Sequence, residues 1–469
     1  MNQTTKSKQF IEKTWDESII PTLTDYIRIP CKSPNYDHDW QKNGYIDKAI
    51  ELIANWCKNF GIKGMQLNVH RLPERTPVIL MEIAGQTDKK ILLYGHMDKQ
   101  PEMHGWSEDL GPWKPVIKND RLYGRGGADD GYSAFAALTA IKALQEEGIP
   151  HAHCTVLIEA SEESGSHDLP YYVDYLQDQI GEPDLVICLD SGCGNYDQLW
   201  CTTSLRGNIV GVLSVNILTQ GVHSGAASGI VPSSFRIVRQ LLSRVENETT
   251  GEVLLPALKV KIPQERIDEA KCVAEVMGES VWTEFPFVNQ ALPMHKEREK
   301  LILNRTWEAT LSMTGVGGIP DLENAGNVLR PNTSFTISVR TPPTCDANAA
   351  AHALKEIFEK NPPYQADVCF DIQSASEGWN SPVMPASLKT AINEASEMYF
   401  GKPSCYWGEG GTIPFMAMLG EKFPRAQFMI TGVLGPQSNA HGPNEFLDIP
   451  TAKKVTGCVA EVIKRFSVS

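Results

Sequence analysis

Residues 155–165, TVLIEASEESG, run from a β-branched apolar stretch straight into two adjacent acids. The first half, 155–160, predicts a buried strand. Glu162 and Glu163 then fall just past its end, where open α/β sheets present ligand-binding side chains on loops held by a rigid core. A solvated turn explains an isolated Glu-Glu pair equally well, so the reading depends on what else the chain places at strand ends.

Several comparable places occur. Residues 77–83 and 90–94 read as strands, the second entering Gly95-His96-Met97-Asp98. A hairpin predicted over 115–118 and 121–123 leads into Gly124-Arg125-Gly126-Gly127-Ala128-Asp129-Asp130-Gly131. A helix is expected over 132–147, ended by Gly148 and Pro150, then the opening strand, a helical stretch over 169–179, and a buried strand over 184–189 that ends at Asp190. This alternation predicts an α/β fold with a mainly parallel sheet covered by helices. Upstream, apolar spacing predicts a helix over 9–29, interrupted by Pro21, and another around Ile46 to Trp56, closed by Gly61.

After Arg206 the pattern changes. Alternating strands are expected at 209–218 and 333–340 and a further strand at 366–372, with helices at 232–245 and at 346–359, the latter capped by Asp346. Residues 248–325 show no regular pattern. A smaller α+β domain, 207–377, is thus expected as an insertion into a catalytic domain formed by 1–206 and 378–469, whose last part carries a helix at 385–400, a strand at 427–433 and a helix at 450–466.

A chain of 469 residues exceeds one ordinary core, which agrees with two domains. A net charge of −14 argues against a nucleic-acid or anionic-membrane partner, since both require clustered Lys and Arg. The N-terminal MNQTTKSKQFIEKTWDE has no apolar leader core, and no apolar run is long enough for a membrane span. Eleven cysteines without a CxxC suit a reducing compartment, and a cytoplasmic protein is expected. Cys188 and Cys369 lie in apolar runs and are expected in the core.

The candidate chemical residues are His96, Asp129, Glu162, Glu163, Asp190 and His441. Each has an ordinary explanation alone: a structural histidine at a strand end, helix capping by Asp129 and Asp130, a turn at Asp190, an exposed polar residue at His441. Together, two imidazoles and three carboxylates, one shared, can hold two cations and leave one glutamate as a base. Nitrogen and oxygen donors suit Zn²⁺, Mn²⁺ or Co²⁺. His96 and Asp98, two apart on a strand, point the same way, so that Asp98 can orient the imidazole.

The segments YGHMDKQPE, LYGRGGADDG, EASEESGS, LDSG, GVHSGAASG, EGGT and NAHGPNE occur in the order and approximate spacing of the M20 family of dinuclear metallopeptidases. The chain resembles this family over nearly its whole length, most closely the cytosolic dipeptidase and carnosinase branch. The resemblance implies a zinc-peptidase-like catalytic domain, a ferredoxin-like lid and dimerisation insert, a homodimer formed through that insert, and two divalent metal ions per subunit, zinc first with manganese or cobalt as alternatives. It implies His96 and Asp190 on one ion, Glu163 and His441 on the other, and Asp129 bridging them with a cis bond to the next residue. Glu162 would be the general base and Asp98 the orienting acid. His223 would stabilise the oxyanion in a neighbouring subunit's site. Asn327, Arg340, Gly411 and Thr412 would contact substrate, with the forked donors of Arg340 suited to a terminal carboxylate.

The implied activity is hydrolysis of dipeptides or short peptides. Hydrolysis of N-acyl amino acids, of desuccinylase or aminoacylase type, is the nearest alternative, and a metal-free binding homologue is a third. Two departures stand out. Gly131 occupies a place where the family often has lysine, which predicts altered local packing with the ligands kept. His441 is followed by Gly-Pro-Asn-Glu rather than the more usual Ser-x-x-Glu, which bears on specificity.

Overall fold

The computed structural model describes residues 6–468, which divide into two compact units. One runs to Thr203 and resumes over Ser381–Trp407 and Met418–Ser469; the other comprises Ser204–Asn380 and Gly408–Ala417.

The first unit is built on a mixed sheet. Its four central strands, His153–Glu159, Lys90–His96, Leu185–Cys188 and Gln427–Ile430, are parallel neighbours in that order. Val78–Ile83 and Met65–His70 continue it antiparallel beyond the first of these. The parallel strands are almost continuously buried because helices cover the sheet, so their sequences read as apolar runs rather than alternations. In the register His96 pairs with Glu159 and Tyr94 with Cys188, which brings the carboxyl ends of three strands to one edge.

The helix Ser133–Glu147 is buried on most of its circumference, including Phe135, Leu138, Ile141 and Leu144. Alanine at 134, 136, 137, 140 and 143 lets its neighbours, the helices Ile449–Phe466 and Lys6–Thr14, approach closely. Each large apolar side chain buried here contributes about 1.5–3 kcal/mol. Pro21 does not end the N-terminal helix: a five-residue π turn, Trp15–Ile19, precedes it, and the proline falls in the first turn of Ile20–Ile27, where a missing N–H costs little.

The sheet of the second unit and the two helices that cover it follow a strand-helix-strand-strand-helix-strand path, with further helices between the first covering helix and the second strand. Its antiparallel sheet has the order Thr310–Gly317, Asn332–Thr341, Gly207–Asn216, Asp367–Ser376. Gly207–Asn216 alternates strictly between buried and half-buried positions, and the helices Ser234–Leu242 and Ala347–Glu359 cover the buried face through Ile237, Leu241, Leu354 and Phe358. Ser233 and Asp346 cap these helices, accepting from the N–H of Arg236 and Ala349.

Two expectations are corrected here. The region 248–325 is not irregular: it holds the helices Gln264–Met277 and Arg298–Thr306 and the strand Thr310–Gly317. The strand escaped notice because its register shifts between Met313 and Gly315, and such a bulge breaks the two-residue alternation. Cys369 is exposed rather than in the core, since it lies on the outward side of the strand Asp367–Ser376 while its neighbour Phe370 takes the buried side. Cys188 is buried. No helix among the described residues is long and apolar enough to cross a membrane.

Candidate metal centre

His96 ends its strand wholly buried, and Asp190 lies two residues beyond the end of Leu185–Cys188. Asp129 sits in the turn Gly127–Gly131 that leads into the helix Ser133–Glu147, and its peptide bond to Asp130 is cis. Asp129 lies between two imidazoles, its Oδ1 3.3 Å from His96 Nε2 and its Oδ2 3.1 Å from His441 Nε2. His96 Nε2 is also 3.7 Å from Asp190 Oδ2, and His441 Nε2 is 3.3 Å from Glu163 Oε2. Two donor clusters result, His96-Asp129-Asp190 and Asp129-Glu163-His441, sharing one residue.

Asp130 does something else. Its Oδ2 accepts the N–H of His96 at 3.1 Å, a close approach that only a glycine at 95 permits: a Cβ there would meet that oxygen at 2.5 Å and Ser133 Oγ at 2.1 Å.

His96 Nδ1 lies 3.1 Å from the main-chain oxygen of Asp98 and 3.4 Å from its Oδ1, so a proton on Nδ1 leaves Nε2 as the lone pair facing Asp129 and Asp190. Asp98 has a second task that the sequence did not suggest. Its two carboxylate oxygens accept the N–H groups of Glu162 and Glu163, at 3.1 and 3.0 Å, and so fix the turn that carries both acids. Gln100 donates to Glu163 Oε2 at 2.5 Å and orients that carboxylate. Under the turn, buried Glu159 accepts from Tyr94, Ser161 and Ser166, and burial pushes its carboxyl up to about 7. Gln100 and Glu159 lay inside recognisable segments, but no spacing rule distinguishes an orienting side chain from a ligand.

The electrostatics favour positive charge. Burial, Asp190 and Glu163 push the Glu162 carboxyl well above its ordinary value against the opposing pull of His96; burial and Asp129 do the same to Glu163. Burial disfavours the imidazolium of His96, yet Asp190, Asp129 and Asp98 outweigh it and raise its pKa. Two histidines thus face more carboxylates than they neutralise. Among the described residues the buried His96 Nε2 has no hydrogen-bond partner, as expected of a nitrogen whose partner is a cation. The donor set is nitrogen and oxygen without thiolate, and it fits a pair of divalent ions.

The profile of peptidase family M20/M25/M40 matches residues 92–465. The chain belongs to this family. It is similar to the cysteinylglycine-S-conjugate dipeptidase of Corynebacterium striatum, 24% identical over 377 residues and covering 80% of each chain. It is similar also to the beta-Ala-His dipeptidase of Homo sapiens, 24% identical over 437 residues, covering 88% of this chain and 83% of that protein. The solved structure of the di-peptidase Dug1p from Saccharomyces cerevisiae shares the fold, with a TM-score of 0.75 at 20% identity over 100% of this chain and 99% of that one.

Within this M20 member the departure at Gly131 has a structural counterpart. A Cβ at 131 would lie 2.2 Å from Tyr26 Cε1 and 2.6 Å from the main-chain oxygen of Gly126. Tyr26 fills the space where a longer side chain would emerge, its hydroxyl donating to Met97 O at 2.7 Å. The ammonium of Lys99 lies 3.8 Å from the Tyr26 ring centroid and donates to the main-chain oxygens of Tyr26 and Ile29 at the end of Ile20–Ile27. Burial lowers its pKa to about 8. Gly131→Ala should therefore cost about 1–3 kcal/mol of stability through overpacking. Urea unfolding would measure this, and an unchanged midpoint would mean that both Tyr26 and the Gly126 main chain give way at no cost.

The remaining candidates lie in the second unit, in two groups. His223 is exposed, and its strand pairs with Val328–Leu329, placing it beside exposed Asn327, whose main-chain oxygen accepts the N–H of Ser224. Arg340 Nη1 donates to Thr412 Oγ1 at 3.0 Å, and Thr412 Oγ1 donates to the main-chain oxygen of Arg206 at 2.6 Å. Gly411, next to Thr412, is exposed. Arg206, which sequence reading did not single out, is buried; burial, with Arg340 and Arg305 adding, lowers its pKa to about 9, and it donates to the main chain at 304, 308 and 410.

Proposed function

We propose that the protein hydrolyses the peptide bond of dipeptides or short peptides in a metal-dependent reaction. The observation that carries this is the pair of donor clusters sharing Asp129, with Glu162 beside them on the turn that Asp98 holds. The dipeptidase names of its relatives favour small peptides over other amides.

His96, Asp190 and Asp129 would hold one ion and Glu163, His441 and Asp129 the second; the ions, with zinc as first choice and manganese or cobalt as alternatives, would supply Lewis acidity and acidify a water molecule. Glu162 takes the proton of the attacking water and returns it to the amine nitrogen as the C–N bond breaks. Burial and Asp190 raise its pKa above the ordinary glutamate value, which makes it a stronger base for that proton. Arg340 is assigned to the substrate carboxylate: among the described residues no carboxylate lies within ion-pair distance of it, and its forked donors match that group. Asn327, Gly411 and Thr412 are assigned to substrate contact on the resemblance.

His223 is assigned to the oxyanion in a neighbouring copy's site, which requires a homodimer through the second unit. An open edge supports this assembly. The strand Thr310–Gly317 ends the sheet order and exposes Met313 and Val316. The cysteine usage supports a cytoplasmic setting.

Stripping the protein with a chelator should abolish hydrolysis of a panel including Cys-Gly and β-Ala-His, and Zn²⁺, Mn²⁺ or Co²⁺ should restore it. Two bound ions without turnover of any dipeptide would move the assignment to N-acyl amino acids. A protein that binds no ion would not be an enzyme of this kind.

A further inference from the structure

We propose that the buried Arg125–Glu445 pair is a positioning device that holds His441 against Asp129, so that breaking it weakens one half of the metal centre and spares the other. The inference rests on the metal-centre reading given above.

The two halves are held by unlike means. His96 and Asp190 follow strands in the middle of a parallel sheet, and the backbone there is fixed by neighbours on both sides. His441 lies on a loop after the sheet, and its side chain is 55% exposed. The loop is also locally unfavourable: Gln437, Asn439, His441 and Asn444 all adopt left-handed backbone, with φ of 64°, 56°, 63° and 61°. Four such residues within eight positions, none of them glycine, persist only where surroundings impose them.

Arg125 and Glu445 supply that imposition. They are 1% and 0% exposed and form an ion pair through Arg125 Nη1 and Glu445 Oε2. Glu445 Oε1 accepts the N–H of Gly126 at 2.8 Å, and its main-chain oxygen accepts that of Gly124 at 3.0 Å. Arg125 Nη2 donates to Gly442 O at 2.8 Å, the residue after His441, and Nε donates to Pro101 O at 3.2 Å. The pair therefore ties three segments together: the turn that carries Asp129 four residues after Arg125, the chain beyond Asp98, and the His441 loop. Neither side chain is among the ligands, so their part is to set the distance between Asp129 and His441. Asn444 adds a weaker tie, its side chain bonding the main-chain N–H and the hydroxyl of Ser107.

The test is a titration with Mn²⁺ alone, following free Mn²⁺ by electron paramagnetic resonance, on wild type, Glu445→Gln and the double variant Arg125→Met with Glu445→Leu. The double variant removes both buried charges together, which proteins often tolerate, so it remains informative if the single variant does not fold. Wild type should bind two ions. Each folded variant should keep one at near wild-type affinity and bind the second about 10- to 100-fold more weakly. Amide hydrogen exchange without metal should speed up over 439–444 and stay unchanged over 90–96. Two ions bound at wild-type affinity in both variants would overturn the proposal alone, as would equal weakening of both ions. A wild type that binds no ion would instead overturn the metal reading on which it rests.

Discussion

Glu162→Gln should lower kcat about 10²- to 10⁴-fold while leaving both metal ions bound and KM little changed. Glutamine keeps the size of the side chain and keeps the main-chain N–H that donates to Asp98, so the turn survives. What it loses is the capacity to take up and release a proton. Because burial and Asp190 raise the Glu162 carboxyl, the group lost is a stronger base than an ordinary surface glutamate. Metal content by elemental analysis together with steady-state kinetics checks both halves of the expectation. An unaltered kcat would move the base to another residue, whereas loss of metal would make Glu162 a ligand.

Arg340→Met should reduce kcat/KM for dipeptides with a free terminal carboxylate by about 2–3 kcal/mol, roughly 30- to 150-fold. Methionine approximates the length of the side chain but removes the charge and the forked donors. Wild type should turn over C-terminally amidated dipeptides poorly, and the variant should treat them no worse than wild type does. That comparison isolates the carboxylate contact from any general disturbance, since Arg340 also donates to Thr412, which is bonded to the main chain of Arg206. Equal losses on free and amidated substrates would assign Arg340 to holding that chain of contacts rather than to recognition.

Asp98 illustrates how the site depends on shared supports. One carboxylate faces His96 Nδ1 and also receives the N–H groups of Glu162 and Glu163, so the proposed ligands His96 and Glu163 and the proposed base Glu162 take their positions from a single side chain. A change there would move all three at once, and its effect would not divide into separate contributions.

Local patterning carried much of this protein. Apolar runs ending in acids marked the central parallel strands, because a strand buried on both faces must be apolar throughout and its ligands can emerge only at its end. The six candidate residues were ambiguous one by one, and it was their occurrence together, with the family resemblance, that gave them an order. Reading failed where structure departs from simple period, as in Thr310–Gly317 with its bulge, and where exposure depends on which side of a strand faces the helices, as at Cys369. Tertiary structure alone decided that Asp130 accepts the N–H of His96, why Tyr26 excludes a side chain at 131, and that Arg125 and Glu445, 320 residues apart, meet. The reason is physical: sequence spacing records the periodicity of local backbone and the burial of one face, whereas the hydrogen-bond partner of a buried side chain is set by whichever distant segment packing brings within about 3 Å.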